Sequence, residues 1–372
     1  MMRQINTRNI GWFALSIICY WVLSYGGFFK YIFILLIALL GLGIKKFCVP
    51  QKYFVVLTTA VCYFLIGFIC AVLNLNITKF SFKVSCFIFI PALAAICIFN
   101  AIQIKNIGII LDIQYFAIVI ISIIVGSTSL KQGRLFESQY AYILGAYAIY
   151  YYALKRKRLF FSAILFTFLA NKRIVLAAVA VSILLYTVII FIKNRQIRRW
   201  INNCVVIGTL IACYMWIAFV KSGAVVTLFS TLNIESNGRI NIWNNISDYY
   251  EFGTFYVGKG MGFVVNFLNE LQIPGFANLH NDLLLLFIET GFWGFGLCVL
   301  SYFYMISRGV KKSKKFSSRN VLLISLIIYS FMNYLTDNIL IYINYWLPGY
   351  LMFLGIMFAP VGCKEDGIDV NS

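Results

Sequence analysis

His280 is the only histidine among 372 residues. It opens the segment His280-Asn281-Asp282-Leu283-Leu284-Leu285-Leu286-Phe287, where the longest polar stretch of the chain gives way to an apolar run. A neutral imidazole at such a border can take a proton from a hydroxyl group, and histidine is the residue type that ordinarily titrates near neutrality. Arginine supplies a complementary chemistry, because a guanidinium stays charged at any relevant pH and grips a phosphate through a planar fork. Arg134, Arg173 and Arg239 stand in three separate polar stretches: Gln132-Gly133-Arg134-Leu135-Phe136, Asn171-Lys172-Arg173 and Asn237-Gly238-Arg239-Ile240-Asn241-Ile242-Trp243. Taken singly, each arginine also reads as an interfacial anchor, and His280 as a satisfied structural group.

The elements that must position these residues are membrane helices. The chain is 62% hydrophobic and 12% charged, about half the charged fraction of ordinary soluble proteins. Apolar runs of about 17–25 residues recur from end to end, each long enough to cross a hydrocarbon core of about 30 Å. The pattern predicts spans near 10–25, 28–44, 53–75, 84–102, 107–126, 140–154, 159–171, 174–192, 201–220, 280–306, 320–336 and 338–359. The fold class expected is therefore an all-α polytopic integral membrane protein with about twelve transmembrane helices, forming one domain over 1–372. The 280–306 run is long enough to bend at Gly291 and Gly294. No cleavable signal peptide is expected, since the first span runs directly into further membrane sequence.

Charge sets the expected orientation. With the N-terminus inside, about 21 of the 31 Lys and Arg fall in inward segments, including the block Lys155-Arg156-Lys157-Arg158 and the cluster Lys311-Lys312-Ser313-Lys314-Lys315. The net charge of +19 thus reads as an orientation signal, and nucleic acid is not an expected partner. Both termini are expected in the cytoplasm, with a short polar tail over 360–372. The large loop over 221–279 faces out, and so do Lys172, Arg173, Arg239, Lys259 and Arg134. Arginines collected there beside one histidine would suit a lipid-linked diphosphate.

Loops of that length are usually functional or disordered, and this one has the wrong composition for disorder. Ser236–Glu251 places Ile240, Trp243, Ile246 and Tyr250 at near-helical spacing, which predicts an amphipathic helix lying on the outer membrane surface. Gly258-Lys259-Gly260-Met261-Gly262 predicts a flexible turn, without the strand and helix context of a nucleotide fingerprint. The cysteines sit mostly inside apolar runs and read as small buried hydrophobes. The abundant Tyr and Phe read as lipid-facing bulk and interface belt, not as a sugar platform. No outward carboxylate pair is read as a divalent-metal site, and no cofactor is expected. Asp112, Glu289 and Asp337 lie close to predicted span ends and read as interfacial.

In order, Gly238-Arg239, Ile242-Trp243, Gly258, Gly260, Gly262, His280-Asn281, Glu289-Thr290-Gly291 and Gly294 resemble the O-antigen ligase and polymerase superfamily. The ordered match covers about 239–294, and the earlier arginines extend it to about 134–294. The chain departs from the family pattern where Lys172-Arg173 replaces a serine-arginine pair, and where Glu137-Ser138-Gln139 follows Phe136 in place of an Asn-Pro-Asn turn. Asn237 likewise stands where the family often has a small residue.

The resemblance implies an architecture like the GT-C membrane glycosyltransferases. It also implies transfer, without metal, from an undecaprenyl-diphosphate-linked glycan donor to a glycan acceptor in the bacterial cytoplasmic membrane. It gives His280 and Arg239 catalytic roles, and Arg173, Arg134, Trp243, Asn281 and Lys259 substrate-binding roles. The expected function is polymerisation of repeat units of O-antigen, capsule or exopolysaccharide, with membrane lipid, a chain-length regulator and a flippase as partners. A ligase passing finished polymer to a terminal acceptor is the near alternative. A lipid-linked oligosaccharide flippase or transporter is the alternative of another class, though transporters usually show two similar halves.

Overall fold

The computed structural model describes residues 49–101, 107–131, 138–233, 236, 238–271, 279–309 and 318–358. Every regular element among them is helical. A 3-10 stretch, Gln51–Leu57, leads into α1 (Thr58–Leu73). Then follow α2 (Lys79–Ala101), α3 (Ile107–Lys131), α4 (Ala141–Ala153), α5 (Lys157–Leu169), α6 (Arg173–Phe191) and α7 (Arg195–Lys221). The large loop carries α8 (Ala224–Thr231), α9 (Arg239–Ser247) and α10 (Phe263–Glu270). The chain closes with α11 (Asp282–Gly309), α12 (Ser318–Tyr334) and α13 (Ile343–Phe358).

Ten of the twelve expected spans fall on these helices, with ends displaced by a few residues. The expected spans 10–25 and 28–44, and the 360–372 tail, lie outside the described residues. Among the described residues, six helices are long and apolar enough to cross a membrane: Gln51–Leu73, Lys79–Ala101, Ile107–Ser127, Arg173–Phe191, Gln196–Lys221 and Asp282–Gly309. The others are shorter. At 13 residues, α4 and α5 reach only about 20 Å. For α4 the shortfall has a reason, since it lies at the centre of the bundle with nearly every residue from Ala141 to Ala153 buried. A helix that is apolar all round and enclosed by protein need not match the bilayer thickness.

Tyr142, Lys172, His280 and Asp337 bring the starts of α4, α6 and α11 and the connection after α12 together at one end of α4. At the opposite face Arg156 Nη1 pairs with Asp112 Oδ2 at 2.6 Å, and Tyr53 packs edge-on against Phe99. The dense basic clusters around Lys155–Arg158 and Lys193–Arg199 belong to that second face. The flanks of α5, α6 and α7 expose Phe161, Phe168, Leu184, Phe191, Ile207 and Ile211, as lipid-facing surfaces do.

Two loop expectations need correction. The amphipathic segment does form a helix, α9, but Ile242, Trp243 and Ile246 are buried in protein and do not lie on a lipid surface. Trp243 packs edge-on against Trp216 of α7 and Phe229 of α8, so the loop has an apolar core of its own. Lys221, at the end of α7, donates to the Ser247 and Tyr250 carbonyls at 2.6 and 2.8 Å. An ammonium there satisfies carbonyls that a helix C-terminus leaves unpaired.

The glycine segment, for its part, is a fixed strut and not a flexible turn. Gly291 adopts φ 75°, ψ −179° and interrupts α11. The interruption redirects backbone groups that an unbroken helix would pair internally. Ile288 O accepts from Lys259 N at 2.8 Å, Glu289 O from Gly260 N at 3.0 Å, and Phe292 N donates to Tyr256 O at 3.0 Å. The approach is so close that a Cβ on Gly258 would run into the Glu289 carbonyl and the Gly291 nitrogen. Met261 N bonds to Gly67 O at 2.9 Å, which ties the strut to α1 as well.

Candidate functional site

At the loop face the chain enters α11 through a left-handed residue. His280 has φ 51°, a conformation uncommon outside glycine, though histidine tolerates it better than most residues. The turn it makes lets Asn281 cap the helix: Asn281 Oδ1 accepts from Leu284 N at 3.0 Å, and Asn281 is fully buried. Asp282 follows in the first turn and is fully buried. Its Oδ2 accepts from Leu340 N at 2.7 Å and its N–H donates to Asp337 O at 3.3 Å. The start of α11 is thereby clamped to the segment after α12.

That segment presents Asp337. Its Oδ1 lies 3.4 Å from His280 Nδ1, and its Oδ2 lies 3.4 Å from Lys172 Nζ. Tyr142, in the first turn of α4, donates its hydroxyl to the same Oδ2, and Asn338 N donates to Oδ1 at 2.9 Å. Burial works to raise the Asp337 carboxyl, but His280, Lys172, Tyr142 and the Asn338 N–H outweigh it and hold the group well below the usual carboxylate range. His280 keeps about a quarter of its side chain exposed (28%), whereas Asp337 keeps 3%. The buried acid thus holds one ring nitrogen from behind while the imidazole remains open to a ligand.

Lys172 arrives by a tight turn between α5 and α6, in which Asn171 takes φ 52°. Arg173 is the next residue, the first of α6, and it is exposed. From another direction, Trp243 Nε1 donates to Leu279 O at 2.9 Å, which pins α9 to the residue just before His280. Arg239 begins α9 four residues earlier, on the same helical face as Trp243 and half-buried. Three distant stretches, around Arg173, Arg239 and His280, therefore meet at one place.

The remaining expectations fare differently. Arg134 lies outside the described residues. Trp243 is 2% exposed and Asn281 0%, so both brace the site from within and neither offers a surface to a ligand. Lys259 is set apart, since its backbone bonds to Ile288, eight residues beyond His280 and about 12 Å along α11. Two acids read as interfacial are buried instead. Asp337 is the hub just described. Glu289 is fully buried, accepting from the Tyr63 hydroxyl and, at 3.3 Å, from Val264 N, and so holds α10 against α1 and α11.

Sequence reasoning missed Tyr142 and Asp337 as members of the site and listed Lys172 only as an outward cation. For Asp337 a signal existed: by the alternation of spans, the connection after 320–336 opens on the same face as the loop bearing His280. Tyr142 had none, being one of 24 tyrosines.

No curated protein matches the chain. Residues 159–299 match the family model described as O-antigen ligase, a segment that runs from α5 into α11. It contains Lys172, Arg173, Arg239 and His280, while Tyr142 and Asp337 lie outside it. That match, over the stretch that builds the site, supports the O-antigen ligase and polymerase superfamily as the family of this chain.

Proposed function

We propose that this chain is a polymerase of undecaprenyl-diphosphate-linked oligosaccharide repeat units. In this reading the loop face is the external face of the cytoplasmic membrane, and the complete bundle has about twelve spans. The observation that carries it is His280 backed by Asp337, with the chain stretches that bear Arg173 and Arg239 tied beside it through Lys172 and Trp243, in a segment matched to O-antigen ligases.

The chemistry follows from the geometry. Asp337 faces Nδ1 of His280, which favours the tautomer with its proton on Nδ1 and a free electron pair on Nε2. Nε2 takes the proton of an acceptor hydroxyl as that oxygen attacks the anomeric carbon of the lipid-linked donor. A new glycosidic C–O bond forms, the C–O bond to diphosphate breaks, and polyprenyl diphosphate leaves with the electron pair. Arg239 and Arg173 stabilise the negative charge growing on that leaving group, where loss of one donor typically costs about 100–1,000-fold in rate. Lys172 compensates the charge of Asp337 at 3.4 Å and keeps the acid ionised behind the imidazole.

The test is a strain lacking the protein, complemented by variants. Arg239→Ala and His280→Ala should abolish long-chain polymer while the protein still reaches the membrane. The second reading is the ligase branch, favoured by the description of the matched family. The two separate cleanly in the same strain. Single repeat units on the final acceptor mark a lost polymerase, and accumulated lipid-linked polymer marks a lost ligase.

A further inference from the structure

Beyond the His280 cluster, the segment between α9 and α10 walls a cavity of about 420 Å³, lined by residues from Asp248 to Lys259. That volume falls among pockets that take small ligands, about 300–1,000 Å³. The walls are built on fixed elements. Lys221 of α7 holds the Tyr250 carbonyl at 2.8 Å, and Tyr256 stacks on Phe287 of α11 while its hydroxyl donates to Ile288 O at 2.9 Å.

The lining pairs aromatic rings with carboxylates. Phe255 is 97% exposed and Tyr249 44%, while Asp248 and Glu251 stand three residues apart, a pair not recognised as such in the sequence. Tyr250 also lines the cavity, and its buried hydroxyl has no hydrogen-bond partner. Exposed ring faces cover the C–H faces of a sugar, and the carboxylates accept from its hydroxyls. Two carboxylates against the single ammonium of Lys259 make the same cavity unfavourable for a diphosphate. Composition alone assigns the aromatics of this chain to lipid; their local pairing with acids singles this group out.

We infer that this cavity is a subsite for sugar residues of the acceptor glycan, an inference that rests on the glycosyl-transfer reading above. Phe287, against which the cavity is built, lies seven residues beyond His280 on α11, about 10 Å along the helix. A lipid-linked acceptor is anchored in the membrane at one end and must present a hydroxyl to His280 at the other. The sugars between those ends need a grip, and the cavity beside α11 supplies it.

The probe is the oligosaccharide released by mild acid from the lipid-linked repeat unit that accumulates when the gene is deleted. If no such lipid accumulates, the glycosyl-transfer reading itself fails, at a step separate from the binding test. The labelled oligosaccharide is titrated onto the purified full-length protein in nanodiscs. Wild type should bind it saturably. The double variant Phe255→Ala/Glu251→Ala, which changes only exposed side chains, should bind about tenfold more weakly or worse, with an unchanged melting temperature. Inorganic diphosphate should not displace the oligosaccharide. Unchanged affinity in the double variant, or displacement by diphosphate, overturns the assignment.

Discussion

Nδ1 of His280 lies 3.4 Å from Oδ1 of Asp337, joining the residue just before the cap of α11 to the connection after α12. The acid is buried and the imidazole is partly open, so the pair has an inner and an outer side. Lys172 and Tyr142 complete the inner side on Oδ2, and the outer side of the imidazole is open.

The first prediction concerns that acid. If Asp337 sets the tautomer and orientation of His280, Asp337→Asn should lower turnover by about 100–10,000-fold, the span a positioned general base contributes. KM for the lipid-linked substrate should change little, because Asp337 does not face the ligand. Single-turnover assays in proteoliposomes separate the two parameters, and an equal loss in KM would argue for a binding role.

Acidity tests the same hub through stability. Asp337 is held below its ordinary value, so its contribution is fully present above about pH 4, the unfolded value. It is lost as the pH falls through the lowered native value. Melting curves of wild type and Asp337→Ala should therefore differ by a constant amount from neutral pH down to about pH 4, by about 3–5 kcal/mol for a broken buried pair. The gap should narrow only below that. A gap that closes between pH 7 and 5 would contradict this assignment.

Arg239 and Arg173 separate charge from geometry. Arg239→Lys retains the cation but loses the two-pronged contact, so activity should stay well below wild type, though above Arg239→Ala. The alanine variant is expected to lose about 100–1,000-fold. Full rescue by lysine would mean that a point charge suffices and that the guanidinium fork plays no part.

The strut makes a structural prediction. Gly291→Ala forces a side chain into φ 75°, ψ −179°, a region that essentially only glycine occupies. The cost should be about 1–3 kcal/mol from backbone strain, with further loss as Gly258 is pushed away. Calorimetry on the detergent-solubilised protein would show it as a lowered Tm. Limited proteolysis should then cut within 251–262, where the wild type resists.

Much of this architecture was legible because the lengths of apolar runs are a direct physical record of membrane helices. The helices over 79–101, 173–191 and 282–309 begin and end within a few residues of where the runs do. Counting spans puts Arg173, Arg239 and His280 on one side as an expectation, and Lys172 and Trp243 tie the neighbouring stretches to the segment around His280. What escaped was contact between distant stretches. Asp337 lies close to a predicted span end, and sequence could not reveal that Lys172 and His280 would close over it. Trp243 looked like the lipid face of an amphipathic helix because hydrophobic spacing does not record whether lipid or protein covers the apolar side. The glycines over 258–262 looked flexible, when the absence of Cβ atoms is what lets that backbone lie against α11.

Purified protein reconstituted with its lipid-linked repeat unit tests the central claim most directly. Wild type should convert the substrate into a ladder of longer lipid-linked glycans, releasing one polyprenyl diphosphate per bond formed. Folded, membrane-inserted His280→Ala and Arg239→Ala should give neither ladder nor release. A normal ladder from either variant would contradict the account.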